Sequence, residues 1–242
     1  MKNLIIVAFV LAIAYLGKNA YDTARYAITE ITGTGATTED IRDLSAFTGV
    51  VSYIAGDIEW KAGEKYAVQV FAPSDILPYL TTHVDGDILR IKTSQKVKYQ
   101  SKVKIVVTSP ELQLIDMNGS GNFMASSSIN SRILKIDLSG SGQVDIQNMD
   151  VGDLRATLSG SGNIDLGGRA KQASLTLTGS GNFDAKNLNA ENAKVDISGS
   201  GNASCGVEKS LNADISGSGN IRYIGNPQVN VSKSGSGTVE KD

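Results

Sequence analysis

The segment Val195-Asp-Ile-Ser-Gly-Ser-Gly-Asn-Ala203 contains the motif that decides the fold, Gly-Ser-Gly followed by Asn. Gly-Ser-Gly occurs seven times in the chain, and five copies continue with Asn. The first glycines of the copies are Gly119, Gly140, Gly160, Gly179, Gly199, Gly217 and Gly235. They lie 21, 20, 19, 20, 18 and 18 residues apart. A near-constant period of this length is typical of the coils of a solenoid.

Apolar and polar residues alternate on both sides of every copy. Four and two residues before the first glycine, and four residues after it, the copies carry apolar residues, with Lys233 the single exception. The positions between them are polar. Strict alternation is the pattern of a half-buried strand. The sequence therefore predicts an all-β fold, a single-stranded parallel β-helix with about 20 residues per coil, and the general rule for parallel crossovers makes it right-handed.

The two glycines of each motif fall in phase with the apolar residues, and the serine between them falls in phase with the polar ones. Glycine inside a strand marks a bend or a close approach of another backbone. We interpret the motif as a bend at which two glycine columns point inward, unless a kink reverses the phase. The Asn that follows is expected at a corner, in a position that tolerates left-handed backbone geometry.

The N-terminus carries the pattern of an export signal. Lys2 precedes an uncharged apolar run from Leu4 to Leu16, and Ala12-Ile13-Ala14 offers a small-x-small cleavage site. The run is short for a membrane span. We therefore predict a signal peptide or an N-terminal membrane anchor over residues 1–20, with export to the periplasm, the outer membrane or the cell surface, and membrane contact only through this segment.

A single domain is expected after the leader. Residues 21–31 are interpreted as a linker and residues 32–242 as one β-solenoid domain. Within it, residues 32–116 would form irregular N-terminal coils, and residues 117–242 the seven Gly-Ser-Gly coils. Gly33-Thr34-Gly35 is interpreted as a diverged first copy of the motif. No Pro-rich or Ser-rich linker divides the two halves.

Composition and charge exclude several functions. The formal net charge is −2 and the chain has no basic run, so nucleic acid is not an expected partner. The only cysteine, Cys205, lies in an apolar column and is interpreted as a buried small hydrophobic residue. The only histidine, His83, has no second imidazole to share a metal and is interpreted as a surface residue. No cofactor is predicted.

Several segments together resemble a known family. They are Gly33-Thr34-Gly35 followed by Glu39-Asp-Ile-Arg-Asp43, then Gly56-Asp-Ile58, Leu89-Arg-Ile91 and the Gly-Ser-Gly-Asn array. Over residues 32 to 240 the chain resembles the putative auto-transporter adhesin family with a head GIN domain, a family of bacterial envelope proteins. The resemblance implies a parallel β-helix and an exported location, and the family name suggests adhesion. It implies no catalytic or binding residues.

Outward-facing columns provide the candidate ligand-binding residues. In parallel coils, equivalent residues stack about 4.8 Å apart, so hydroxyls and amides form regular arrays. The candidates are Ser120, Ser141, Ser161, Ser180, Ser200 and Ser218 in one column, and Asn122, Asn163, Asn182, Asn202 and Asn220 in the next.

Stacked carboxylates raise the question of a metal. Asp145, Asp165 and Asp184 share one outward column, and like charges at that spacing repel unless a cation bridges them. Calcium binding by these residues is one hypothesis. Asp116 with Asp137, and Asp196 with Asp214, are stacked in the same way in another outward column. The alternative, which we favour, is that basic residues of the outward columns neutralise these stacked carboxylates at the solvated surface. These basic residues are Lys135, Arg155 and Lys194.

Three functions remain open. In the first, the protein is a non-catalytic, adhesin-like envelope module that binds polysaccharide or another cell-surface component through its Ser/Thr/Asn columns. The second is a purely structural or assembly role. The third is a polysaccharide lyase or hydrolase, which needs an acid/base pair in a groove. Uniform columns favour the first two over an enzyme, and the oligomeric state is left open.

Overall fold

The computed structural model describes residues 30–99 and 103–242. The predicted leader (1–20) and nearly all of the predicted linker (21–31) lie outside these residues. Within the described ranges, no helix is long and apolar enough to cross a membrane. The helical element in this part of the chain is one 3-10 turn, Leu77–Tyr79. The rest consists of strands and the turns between them, so the all-β prediction is confirmed.

The Gly-Ser-Gly half forms a stack of parallel coils. Its strands are β10 (Leu114–Met117), β11 (Phe123–Ala125), β12 (Ile129–Gly140), β13 (Gln143–Ile146), β14 (Met149–Gly160), β15 (Asn163–Gly179), β16 (Asn182–Gly199), β17 (Asn202–Gly217), β18 (Ile221–Ile224), β19 (Gln228–Gly235) and β20 (Val239–Lys241). Equivalent residues of successive copies pair in register, as Leu138 does with Leu158 and Leu158 with Leu177. The predicted β-solenoid with coils of about 20 residues is therefore confirmed.

Each regular coil contributes to three faces. Face A contains runs such as 133–140 and 153–160, which lead into the motif. Face B contains the runs that follow the motif, such as 143–146 and 163–166. Face C closes the coil with shorter runs such as 129–131 and 149–151. The Gly-Ser-Gly motif therefore forms the corner between faces A and B.

The N-terminal half supplies two further coils and a cap. Its strands are β1 (Ile31–Gly33), β2 (Thr37–Asp43), β3 (Gly49–Ser52), β4 (Asp57–Ala62), β5 (Ala67–Pro73), β6 (Leu80–Asp85), β7 (Ile88–Thr93), β8 (Val97–Tyr99) and β9 (Lys104–Ser109). The coil of β3 and β4 is parallel to β10 and β11 on one side and to β7 and β9 on the other. The chain thus leaves the stack after β4, returns as the outer coil, and then passes back to β10.

Antiparallel strands close this end of the stack. Strand β6 pairs with β7, while β5 pairs with β9 and β2 pairs with β5. Arg42 on β2 connects the two sheet edges, because its guanidinium donates to the Leu80 carbonyl at 2.9 Å and to the Thr82 hydroxyl at 3.1 Å. A charged side chain in this position blunts the open end of the solenoid.

The interpretation of Gly33-Thr34-Gly35 as a first motif copy is wrong. Gly33 belongs to β1, which pairs with β8 in a separate two-stranded sheet. The N–H groups of Thr34 and Gly35 donate to the Asp75 carboxylate at 2.8 and 3.0 Å, so the segment is a loop held by that side chain. Gly56 is the true counterpart in the irregular coils, because its carbonyl oxygen lies beneath Gly121.

The inward columns form one continuous core of small aliphatic residues. From β10 to β18 the predicted apolar positions are buried, and Cys205 is buried among them as expected. The N-terminal coils contribute the large side chains Trp60 and Phe47, and β11 of the first Gly-Ser-Gly coil adds Phe123; the Trp60 indole donates to the Ser109 hydroxyl at 2.8 Å. In the last coil Val231 is 53% exposed, because β19 pairs on one side with β17 within the described residues.

The motif glycines keep phase with the core but do not create empty inward columns. A Cβ on Gly160 would lie 2.4 Å from the Gly140 carbonyl oxygen, and a Cβ on Gly162 would lie 2.5 Å from the Gly142 carbonyl oxygen. The space is therefore occupied by the backbone of the preceding coil. In the copies from Gly140 onward the first glycine has a positive φ, 140° at Gly160, and no described residue other than glycine has a positive φ. The expectation of left-handed geometry near the Asn is therefore wrong.

Hydrogen bonds explain why these backbones approach so closely. The Gly140 carbonyl oxygen accepts the N–H groups of both Ser161 and Gly162, each at 3.1 Å. The same pair of bonds recurs at the next coils, where Gly160 accepts from Ser180 and Gly181. Because only a residue without Cβ fits above such a carbonyl, the motif connects successive coils as well as bending them.

Candidate functional site

Three outward columns lie side by side and form a polar strip. The serine column follows the corner between faces A and B, and the asparagine and carboxylate columns follow on face B. Neighbours within a column are about 4.8 Å apart, and adjacent columns, two residues apart along the strand, are separated by roughly 7 Å. The structure therefore places all the predicted candidate residues on one surface.

The serine column presents unengaged hydroxyls. Its six candidate residues are exposed, and their hydroxyl groups form no hydrogen bond within the described residues. The backbone N–H of Ser180 donates to the Gly160 carbonyl oxygen at 3.0 Å, so the coil position is fixed although the side chain is not. Each hydroxyl can donate one hydrogen bond and accept two from a ligand.

The asparagine column is a hydrogen-bonded ladder. The Asn202 side-chain oxygen accepts the backbone N–H of Asn220 at 3.2 Å and its side-chain amide at 3.0 Å. The Asn202 amide in turn donates to the Asn182 oxygen at 3.3 Å. Each amide still has a second hydrogen that the ladder does not use. The column thus stabilises the stack and keeps a row of donors facing outward.

Each member of the carboxylate column has its own polar partner. Gln147 donates to Asp145 and Gln143 donates to Asp165, each at 2.6 Å. Asp184 lies 3.6 Å from the Lys186 ammonium group. Partial burial raises the pKa of Asp165, the hydrogen bond from Gln143 opposes this, and the charges of Asp145 and Asp184 raise the pKa further.

The three aspartates do not converge on one point. In the parts of the chain that the structure describes, no three His, Cys, Asp or Glu side chains come together in a position to hold a metal ion. The column is a row of separately bonded carboxylates, so it resembles a charged edge more closely than a coordination cage.

Ion pairs on face A support the neutralisation hypothesis. Lys135 contacts Asp137 at 2.6 Å and Lys194 contacts Asp196 at 2.8 Å, as the outward columns predicted. Arg155 is in register with Lys135, but the residue two positions after it is Thr157. Asp116 stands at the start of the column that contains Asp137; burial raises the pKa of Asp116, while a hydrogen bond from Asn118 lowers it.

Grooves lie along face B of the strip, and those near its two ends can be described from their lining residues. The first, which we call the junction groove, has a volume of about 320 Å³ and lies where the irregular coils meet the Gly-Ser-Gly array. It is lined by Asp57, Glu59, Lys104, Asn122, Met124 and Asp145, among others. The second, of about 350 Å³, lies between the asparagine and carboxylate columns near Asn202.

Sequence reasoning missed most residues of the junction groove. Glu59 and Lys104 come from coils without the motif, and they are in register with the array only because the chain re-enters the stack out of order. One feature of the sequence could have indicated this groove. Met124 pairs with Asp145 and is therefore the apolar member of a column that continues with aspartates.

The only histidine and the only cysteine of the sequence, His83 and Cys205, lie outside the strip. His83 is exposed on β6, an edge strand that pairs with β7, as expected for a surface residue. Burial raises the pKa of the Cys205 thiol to about 11, which keeps it protonated and unreactive near neutral pH.

Comparison with known families agrees with this architecture. Residues 46–227 match the family described as "Putative auto-transporter adhesin, head GIN domain". The chain belongs to this family. The resemblance inferred from the motifs is therefore confirmed, and the match includes the irregular coils from β3 onward as well as most of the array.

Solved structures share the fold. A putative adhesin from Bacteroides fragilis matches with a TM-score of 0.84 at 28% identity, covering 88% of this chain and 100% of that one. A putative lipid binding protein from Parabacteroides distasonis matches with a TM-score of 0.73 at 25% identity, covering 88% and 100%. A putative adhesin from Parabacteroides merdae, with a TM-score of 0.71, 24% identity and coverage of 88% and 99%, shows the fold alone. No curated protein matches the chain.

Proposed function

We propose that this head GIN protein is an exported, non-catalytic, adhesin-like module of the bacterial cell envelope that binds polysaccharide through the polar strip. The family and the B. fragilis structure are both described as putative adhesins, which supports the general role. The ligand class is our inference from the chemistry of the strip. The predicted leader and the family support the proposed periplasmic, outer-membrane or surface location.

One observation carries the proposal, namely the row of unengaged serine hydroxyls beside a row of spare amide donors. Both rows repeat with the coil, so a polymer of repeating hydroxyl groups can form the same hydrogen bonds many times. Single bonds of this kind contribute only about 0.5–1.5 kcal/mol each, so affinity has to come from their number. This arrangement suits a polysaccharide better than a small molecule.

An enzymatic role receives less support from the same residues. Glycoside hydrolysis requires two carboxyl groups placed on either side of one bond, with one of them held protonated. The aspartates of the strip follow one another along a single column, bonded to glutamines or to lysine. We therefore propose binding without catalysis.

The asparagine ladder favours a second candidate, a purely structural or assembly role. Its amides bond to one another from coil to coil, as Asn220 does to Asn202 and Asn202 to Asn182. A column that serves stacking alone would have this arrangement. The serine column distinguishes the two candidates, because its hydroxyls contribute nothing to stacking.

The test is a glycan array together with a whole-cell pull-down, using the purified protein and two matched triple variants. Ser161→Ala, Ser180→Ala and Ser200→Ala remove hydroxyls from the strip, while Ser159→Ala, Thr178→Ala and Ser198→Ala remove them from face A of the same coils. We expect retention of the wild type and the face A variant, and reduced retention of the strip variant. Retention of none of the proteins, or equal retention of all three, would contradict the proposal.

A parallel incubation addresses catalysis. The protein is mixed with uronate-containing polysaccharides, and the absorbance of unsaturated sugars and the release of reducing ends are followed. We expect neither signal to rise above the buffer control. Turnover that persists through purification and is lost on unfolding would overturn the non-catalytic assignment.

A further inference from the structure

The polar strip differs from its regular pattern at one end, in the junction groove. Met124 is 46% exposed there and lies between Glu59 on one side and Asp145 on the other. Farther along the same column stand Asp165 and Asp184. An exposed thioether chain between charged neighbours provides an apolar surface that the rest of this column lacks.

We infer that the junction groove is the subsite that holds one uncharged pyranose ring of the polysaccharide, with the C–H face of the ring packed on Met124. This inference rests on the proposed function and specifies where along the strip a sugar unit is recognised. The volume of the groove, about 320 Å³, lies within the range of small-molecule sites. Such sites combine apolar contact with a few fixed polar groups.

The polar rim of the groove is held in place by its own hydrogen bonds. The Asn122 amide donates to Asp57 at 2.8 Å, and its oxygen accepts the Gln143 N–H at 3.1 Å. Glu59 accepts from the Lys104 ammonium group at 2.8 Å and from the Ser126 hydroxyl at 2.6 Å. A carboxylate has about four acceptor positions, so Glu59 retains acceptors for sugar hydroxyls. Preorganised groups of this kind lose little freedom when a ligand binds.

The charge of the groove selects the class of sugar. Among the described residues that line the groove, Glu59 and Asp145 carry two negative charges against the one ammonium group of Lys104, which is itself paired with Glu59. Bonds from Lys104 and Ser126 lower the pKa of Glu59, so this carboxylate is ionised at neutral pH. A uronate or sialate would meet like charge here, whereas an uncharged ring offers hydroxyl donors to the same oxygens.

The first experiment observes Met124 directly. The full protein is labelled with ¹³C at the methionine methyl groups and titrated with methyl glucoside, methyl galactoside, methyl mannoside and methyl N-acetylglucosaminide. Glucuronate serves as the anionic comparison. Met117 and Met149 are buried at 1% and 3% exposure and serve as internal references. We expect the Met124 methyl signal to shift with at least one uncharged sugar, without shifts of the references and without response to glucuronate.

The second experiment compares two substitutions at the same position. Met124→Asp extends the pattern of the neighbouring coils, and Met124→Leu keeps the apolar surface. The affinity of each variant is measured for the glycan that the array retains. We expect at least a tenfold loss of this affinity for Met124→Asp and less than a twofold change for Met124→Leu. Thermal unfolding of both variants checks the fold, and the methyl titration on the wild type needs no variant.

The outcomes separate the inference from the function on which it rests. Equal affinity of Met124→Asp and the wild type, equal losses in both variants, or an unshifted Met124 methyl group would overturn the subsite while polysaccharide binding stands. Absence of any retained glycan together with a shifted methyl group would leave the subsite and overturn the polysaccharide function. A response to glucuronate equal to that of the uncharged sugars would overturn the assignment of sugar class.

Discussion

Replacing the second glycine of one motif with alanine should weaken the stack at that coil. The Cβ of Gly162→Ala would lie 2.5 Å from the Gly142 carbonyl oxygen and 2.8 Å from a methyl group of Leu138. The coils would have to separate, because the nearer contact is backbone. Separation lengthens the hydrogen bonds from Gly162 to Gly140 and from Asn163 to Gly142, each now 3.1 Å.

The expected cost follows from these contacts. Overpacking contributes about 1–3 kcal/mol, and weakening two backbone hydrogen bonds adds about 1 kcal/mol each. The alanine recovers about 0.4–1 kcal/mol by restricting the unfolded chain. The free energy of unfolding should therefore fall by about 3 kcal/mol. Urea unfolding followed by far-ultraviolet circular dichroism measures the loss, and amide hydrogen exchange at β14 and β15 shows whether it is local, as expected for a solenoid.

Gly86→Ala is the matched control. Gly86 has a φ of 63°, but a Cβ there would meet nothing within 4 Å, so this change imposes a backbone penalty without a clash. That penalty is about 1–2 kcal/mol before the gain from the unfolded chain is subtracted. The φ of Gly162 is not positive, so its variant isolates the clash. A loss at Gly162 no larger than the loss at Gly86 would refute the close-approach explanation of the motif.

Three further predictions concern the ladders and the core. Asn202→Ala should lower the free energy of unfolding by about 1–2 kcal/mol, because three side-chain hydrogen bonds with its neighbours are lost; Ser200→Ala, which loses none, should leave urea unfolding unchanged. Asp165→Asn should stabilise the protein by about 0.5 kcal/mol at pH 7, because the raised pKa of Asp165 means that its ionisation is unfavourable in the folded state. In thermal melts below the ordinary aspartate pKa, this gain should vanish, because the wild-type carboxyl group is then neutral as well. The folded pKa of Cys205 is raised from 9.0 to about 11. The stability that the buried neutral thiol contributes to the folded state is therefore fully present below pH 9 and is lost as the pH rises to 11. Relative to Cys205→Ala, the wild type should lose about 3 kcal/mol over that interval, and a constant difference in urea unfolding would contradict the assignment.

Column analysis of the sequence predicted the fold because the physical cause is periodic. Each coil repeats the same alternation, so the side chains that face the core could be identified at every copy from β10 to β18. The role of the glycines could not be obtained in this way. Their phase is that of inward residues, but the atom that excludes a Cβ at Gly160 belongs to Gly140 of the preceding coil. A contact between coils is invisible in a single column.

The site was predictable to the extent that it is regular. The serine and asparagine columns followed from the period, whereas the junction groove depends on a coil inserted out of chain order. Lys104 meets Glu59 because β9 stacks on β4, a pairing that no repeat in the sequence announces. Equally, the bonding within the asparagine ladder depends on side-chain orientation, which alternation does not specify.

The affinity of the wild type for a length series of the retained glycan tests the central claim most directly, that a repeating surface binds a repeating ligand. Five intervals of about 4.8 Å place Ser120 and Ser218 roughly 24 Å apart. Isothermal titration should show affinity increasing with each added sugar until the oligosaccharide is as long as this column, with the junction groove adding a constant contribution. An affinity that is already maximal with one or two sugars would contradict the claim, because a single focal site would then account for all of the binding.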